Sequence, residues 1–551
     1  MTDFAASIGL SDALKCFRDF VLYQQEGKSN PLGENHGVHM DLKRLFARTR
    51  MGARTWVVVI AALSLAGVVS AAVIPNLFPF LDPTGLVSTY NTNGPIRENN
   101  AFFQSLGTNG RTCATCHIAA NAMGLSVQNI QARYLLTGGR DPLFASFDGA
   151  NCPNSTSHSI QAHSILLKNG LIRIPLTLPA TAQFTIRAVV DPYGCGIVTD
   201  PVTGLQTVSV YRRPLPTTNL KFLSAVMWDG RESGAKPLNN EASFFDNLQA
   251  DLMQQASDAT TGHAQAAVPP TLEQQQEIVN FELGLFSAQI ADSHAGPLNV
   301  DGANGGAQNL AATNYYPGIN DVLGADPNKI PFNPNGMSLF AAWENATPQF
   351  GHGPIAREVA AARADIAAGE KLFNTRPITI SAVRGLNDSA AVATALGVSL
   401  PIASFQGTCT TCHDAPNAGD HSLPLPLDIG LAHDAGAEHD PAIANALSQL
   451  SLATVPVYEI DGCPDPFAAP GTSLPTPIYT TDPGKALISG ACADVNRVKG
   501  PILRGLAARA PYFHNGAARD LNEVLNFYNQ RFQMNLTPTE KRQLIAFLNS
   551  L

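Results

Sequence analysis

The sequence has no basic excess. Its 551 residues carry 35 Lys and Arg against 44 Asp and Glu, a formal net charge of −9, so the electrostatic footprint of a nucleic-acid-binding protein is missing. Further Cys or His pairs at zinc spacing are lacking, and no βαβ pattern surrounds the Cys-x-x-Cys runs, which argues against a zinc site and a thioredoxin-like pair. Sustained apolar/polar alternation is scarce: only Phe184 to Pro192 alternates loosely as a candidate strand, and nothing predicts an extensive sheet. By contrast, 45 Gly and 39 Pro predict much irregular structure between helices. The length exceeds what a single core usually serves and predicts two domains.

Residues 1–75 read as a targeting region. Lys43, Arg44, Arg48, Arg50 and Arg54 precede an apolar run from Trp56 to Ile74 that ends among small residues at Ser70, Ala71 and Ala72, the pattern of an export signal. The run is nearly long enough to span a bilayer, so an uncleaved inner-membrane anchor is the alternative to cleavage. Residues 1–39 have neither export character nor a core pattern, which points to a start at Met40 or Met51 and places Cys16 outside the mature chain.

Two runs end in Cys-x-x-Cys-His: Cys113, Cys116 and His117, then Cys409, Cys412 and His413, roughly 300 residues apart. Two cysteines at this spacing reach both vinyl groups of one porphyrin from a single turn and hold the following histidine under the iron, the signature of covalent haem attachment. Two such motifs downstream of an export signal predict two haems, with His117 and His413 as proximal ligands. Ile366 to Phe373 reads as a lead-in helix to the second motif, and Asn100 to Phe103 as its counterpart before the first. The Gly-, Asn- and Pro-rich stretch from Gly296 to Pro354 reads as a linker. The expected organisation is an N-terminal haem domain over 95–300, a linker over 301–354 and a C-terminal haem domain over 355–551. The fold class expected is mainly α: two cytochrome c-like domains with long irregular insertions and little β.

Outside the motifs and Cys16 stand Cys152, Cys195, Cys463 and Cys492. An oxidising compartment favours disulfides, and four cysteines allow three connectivities. Pairing within each half closes the shorter loops; buried free thiols are the alternative. Near the C-terminus, Leu521, Val524, Leu525, Tyr528 and Phe532 recur at helical spacing. Thr537, Pro538 and Glu540 form a capping-box signature before a second stripe running from Leu544 to Leu551.

Three further segments bear on function: Met227-Trp228-Asp229-Gly230-Arg231, Lys499 to Arg504, and Ala510-Pro511-Tyr512-Phe513-His514-Asn515-Gly516. With the haem motifs, these blocks resemble, in order, the bacterial di-haem cytochrome c peroxidase family that includes the MauG-type enzymes. The resemblance implies that the haem on His117 binds peroxide, that the haem on His413 takes electrons from a donor, and that Trp228 lies between them as a bridge. It implies haem-propionate or mutual ion pairs for Asp229 and Arg231, and a propionate contact for Arg504. It also raises an interdomain calcium ion and a homodimer.

Peroxide cleavage requires an acid-base group beside an open iron position. The family places a glutamate after a Gln-Ala step; here Gln255-Ala256 is followed by no glutamate at that offset, and His263 is the candidate acid-base group or displaceable sixth ligand. In the peroxidases a methionine after the Tyr-Phe-His motif ligates the second haem. Counting from His514 puts Tyr528 at that position, as in MauG-type proteins, with Met534 as the rival. The leading expectation is a periplasmic enzyme reducing hydrogen peroxide with electrons from a small cytochrome or copper protein, a partner that the mildly acidic chain suits. The alternatives are oxidation of an organic or protein substrate, as in MauG-type proteins and di-haem rubber oxygenases, and a non-enzymatic two-haem relay.

Overall fold

The computed structural model describes residues 73–233, 241–346, 353–436, 438, 440–467 and 477–551. The candidate targeting segment through residue 72, with Cys16, Met40 and Met51, lies outside them. Among the described residues no helix is long and apolar enough to cross a membrane.

Both candidate C-terminal helices form, and local chemistry sets their ends. The Asp520 carboxylate accepts from the Glu523 backbone N–H and starts the helix Leu521–Arg531. Thr537 and Glu540 exchange reciprocal bonds at the start of the helix Pro538–Asn549. That helix packs on the lead-in helix Pro354–Thr375, which buries Ile366 and Phe373. The contact is close because Gly369 has no side chain; a Cβ there would sit 2.0 Å from the Gln543 carbonyl oxygen. Before the first motif, the equivalent element is one 3-10 turn, Ala101–Phe103. Its Phe102 ring packs at a tilt on Phe281 of the helix Leu272–Leu283, ring centroids 4.9 Å apart.

The expectation of a mainly α fold with little β is overturned. Helix makes up 32% and strand 15%, with 11 helices and five small sheets among the described residues. Apart from the segment Phe184 to Pro192, the longer strands escaped detection because they pair with remote partners. Gly85–Asn91 pairs antiparallel with Leu285–Asp292, and Thr185–Val190, inside the candidate strand Phe184 to Pro192, pairs with Val457–Asp461. Ile172–Thr177 pairs with Gln206–Arg212 in stretches that read as irregular insertions. Without a short hairpin turn between partners, no local signal marks them as a sheet.

The four isolated cysteines pair within each half: Cys152 with Cys195, Cα atoms 6.0 Å apart, and Cys463 with Cys492, 5.3 Å apart. The motif cysteines are free thiols.

Candidate functional site

The two Cys-x-x-Cys-His motifs adopt the same local structure. Each places its first three motif residues in a 3-10 turn, Cys113–Thr115 and Cys409–Thr411, capped reciprocally by threonines: Thr112 with Thr115, Thr408 with Thr411. His117 Nδ1 lies 3.3 Å from the Met123 carbonyl and His413 Nδ1 2.7 Å from the Gly419 carbonyl, each six residues on. A carbonyl only accepts, so Nδ1 carries the proton and Nε2 keeps its lone pair. A phenylalanine flanks each imidazole, Phe102 with ring centroids 6.1 Å apart and Phe373 6.0 Å. Two free thiols and a free imidazole nitrogen on one turn are the groups that thioether attachment and iron ligation require.

The first motif opens into a cavity that Cys113, Cys116 and His117 line together with Trp228, Arg231 and His263. The sheet places one wall: Ile172, Ile174 and Arg212 lie on the paired strands, and the chain continues through Arg213 to Thr217 along the same surface. A second wall is the helix Glu241–Gly262, with His263 immediately after it.

His263 is held from several sides. Its backbone N–H donates to Ala259 O at 2.8 Å, and its carbonyl accepts from Asn109 Nδ2 at 2.8 Å. Its Nδ1 donates to Asp148 Oδ2 at 2.6 Å, leaving Nε2 as the nitrogen free for chemistry. Asp148 is buried; burial opposes its charge, but the Arg111 guanidinium and His263 hold it below the usual carboxylate range. Across the cavity, burial pushes His117 down to about 4, with His263 acting in the same direction.

Trp228 is buried, donates Nε1–H to Arg213 O at 2.8 Å, and meets His514 edge-to-face with centroids 6.1 Å apart. Its carbonyl accepts from the Lys499 N–H at 2.8 Å, so the Trp-Asp-Gly-Arg block touches both later blocks. Asp229 and Arg231 pair with each other at 2.8 Å, and Asp229 also binds Arg212.

Near the second motif, Arg504 is fully buried. Its Nη1 donates to Asn417 O at 2.8 Å and its Nε to Leu551 O at 3.0 Å, while Nη2 has no partner among the described residues. Tyr528 stacks on Phe532 at 5.7 Å. Burial and the nearby Cys412 and Cys409 raise its phenol, and its hydroxyl makes no hydrogen bond among the described residues. Met534 is buried in the core that contains Phe532 and Phe547.

Sequence reasoning missed Asp148, whose partner His263 is 115 residues away, and Glu282, a buried acid in the same cavity. The first gives no local signal. The second reads as an ordinary helix carboxylate until packing turns it inward.

No family model matches the chain. Similarity to named proteins is partial. The cytochrome-c peroxidase IdrP2 of Denitromonas iodatirespirans is 30% identical over 153 residues, 26% of this chain and 36% of that protein. IdrP2 of Pseudomonas sp. (strain SCT) is 30% identical over 159 residues, 27% of this chain and 38% of that one. IdrP1 of the same strain is 28% identical over 164 residues, again 27% and 38%. The chain thus spans little more than a third of the length of the curated relatives it matches, and over that stretch it is similar to cytochrome-c peroxidases.

Proposed function

We propose that this protein is an exported, periplasmic c-type cytochrome with two covalent haems that reduces hydrogen peroxide with electrons from a small cytochrome or copper protein. The observation that carries the reading is the cavity that the first Cys-x-x-Cys-His motif and His263 line together. Cys113 and Cys116 would hold one haem with His117 as proximal ligand, and Cys409, Cys412 and His413 the other, in domains over 95–300 and 355–551. Haems held there would supply one-electron redox chemistry and an iron to bind peroxide.

The chain's own residues do the rest. Asp148 fixes the His263 tautomer, so Nε2 can take the proton from the attacking peroxide oxygen and return it to the departing one. Arg231, held by Asp229, offers its remaining donors to a propionate or to peroxide. Arg504, with a buried unpartnered nitrogen, suits a propionate of the second haem. Trp228 is the proposed bridge, joining the cavity wall to His514 and Lys499.

A second reading, oxidation of an organic or protein substrate as in MauG-type enzymes, is favoured by Tyr528, whose unbonded hydroxyl lies near Cys409 and Cys412. A phenolate ligand favours the higher oxidation state of iron. The test is an optical and spin-state spectrum of the holoprotein before and after peroxide, with turnover measured against a reduced cytochrome. Rapid donor-dependent peroxide consumption supports the peroxidase; two six-coordinate haems inert to peroxide would leave a relay.

A further inference from the structure

Glu282 is the cavity's unassigned acid. The helix that carries it starts at a Thr271–Gln274 capping box. Ile278 and Glu282, four residues apart, share the face that lines the first cavity. Glu282 is 4% exposed. One carboxylate oxygen accepts from the Thr217 hydroxyl at 2.6 Å, and the other is buried without a partner among the described residues.

Among the described residues no cation pairs with this carboxylate. The arginines of the cavity are committed elsewhere: Arg111 to Asp148, Arg212 and Arg231 to Asp229, and Arg213 to the carbonyls of Gly170, Leu125 and Arg509. Lys221, on a turn packed against the same helix, donates to the Ala311 and Thr313 carbonyls. The other titratable groups facing the space are Cys113, Cys116, His117, Asp148 and His263. Burial pushes Glu282 up to about 7, with the Thr217 bond opposing. An ionised carboxylate so placed is costly, and an electron added to a group in the same cavity raises the cost further.

We propose that Glu282 is the redox-linked proton carrier of the first cavity: each electron accepted by the haem on Cys113, Cys116 and His117 draws one proton from water onto the Glu282 carboxylate. This rests on the haem assignment above. The electron comes from the one-electron donor, an O–H bond forms on Glu282, and reoxidation breaks that bond and returns the proton. Reduction of one peroxide consumes two electrons and two protons and yields two waters, so the carboxyl stores one of the protons beside the site that uses them.

The experiment is a potentiometric titration of the holoprotein from about pH 5 to about pH 9, following the first haem's visible band, for the wild type, Glu282→Gln and Thr217→Val. The wild-type potential is expected to fall as pH rises through about 7, because the ionised carboxylate favours the oxidised haem. Glu282→Gln should stay near the acidic-limb value throughout. Thr217→Val, lacking the bond that stabilises the carboxylate, should move the fall to higher pH. A carboxylic C=O band in the redox infrared difference spectrum should vanish in Glu282→Gln. A pH dependence unchanged in Glu282→Gln, or a flat wild-type profile, overturns the inference. Absence of a covalent haem on Cys113 and Cys116, read by mass, would instead overturn the proposed function.

Discussion

His263 Nδ1 and Asp148 Oδ2, 115 residues apart in sequence, lie 2.6 Å apart in the wall of the first cavity. The carboxylate can only accept from the imidazole, so it selects the tautomer that presents Nε2 to the cavity. His263→Ala should lower the rate of peroxide reduction by about two to four orders of magnitude while both haems remain attached. Asp148→Asn should lower it less, by loosening the tautomer. Stopped-flow turnover with the optical spectrum of each variant decides the point; unchanged kinetics for His263→Ala would make His263 a bystander.

Replacing Cys113 and Cys116 together by alanine should remove one covalent haem and leave the other, because each motif is a separate turn with its own capping threonines. The mass of the denatured protein counts the haems directly. Loss of both would mean that the sites depend on each other.

At the second motif, Tyr528→Phe should change the ligand-field spectrum and raise that haem's reduction potential, since it removes the anionic ligand proposed there. Met534→Leu, which leaves the proposed phenolate ligand in place, should do neither. A methionine-to-iron charge-transfer band lost in Met534→Leu reverses the assignment.

His433 is clamped between two carboxylates, with Nε2 2.8 Å from Asp428 and Nδ1 bonded to Glu438. Burial alone would depress it, but Asp428 and Glu438 raise it to about 10 from an ordinary 6.5. A raised folded-state value means the stabilisation is fully present below about 6.5 and is lost as pH rises through about 10. The wild type should therefore lose stability between these limits, whereas His433→Gln should lose less over that range and be destabilised by about 3–5 kcal/mol near neutrality, where Asp428 loses a charged partner. Urea denaturation across pH measures both.

Gly369→Ala should destabilise the chain by about 1–3 kcal/mol, because its Cβ would strike the Gln543 carbonyl. The thermal midpoint should drop with the covalent haem count unchanged.

Local patterns in the sequence identified what neighbouring residues decide among themselves. The capping box at Thr537 needs only residues three apart, and the apolar stripe around Leu521 only one helix. Both Cys-x-x-Cys-His turns are equally local, which is why their threonine caps and the carbonyl bonds to His117 and His413 repeat in both halves. The pairing of Cys152 with Cys195 and Cys463 with Cys492 followed from loop length. Tertiary structure alone decided the sheets, whose partners lie far apart in sequence. It also decided the cavity chemistry, since Asp148 and His263, 115 residues apart in sequence, meet only in the folded chain. Glu282 differs from a surface carboxylate only by the face its helix buries, a choice made by Phe102 and Phe281 packing together. Hydrogen bonds three or four residues apart are written in the chain, whereas a contact across a hundred residues exists only once the apolar faces between them have closed.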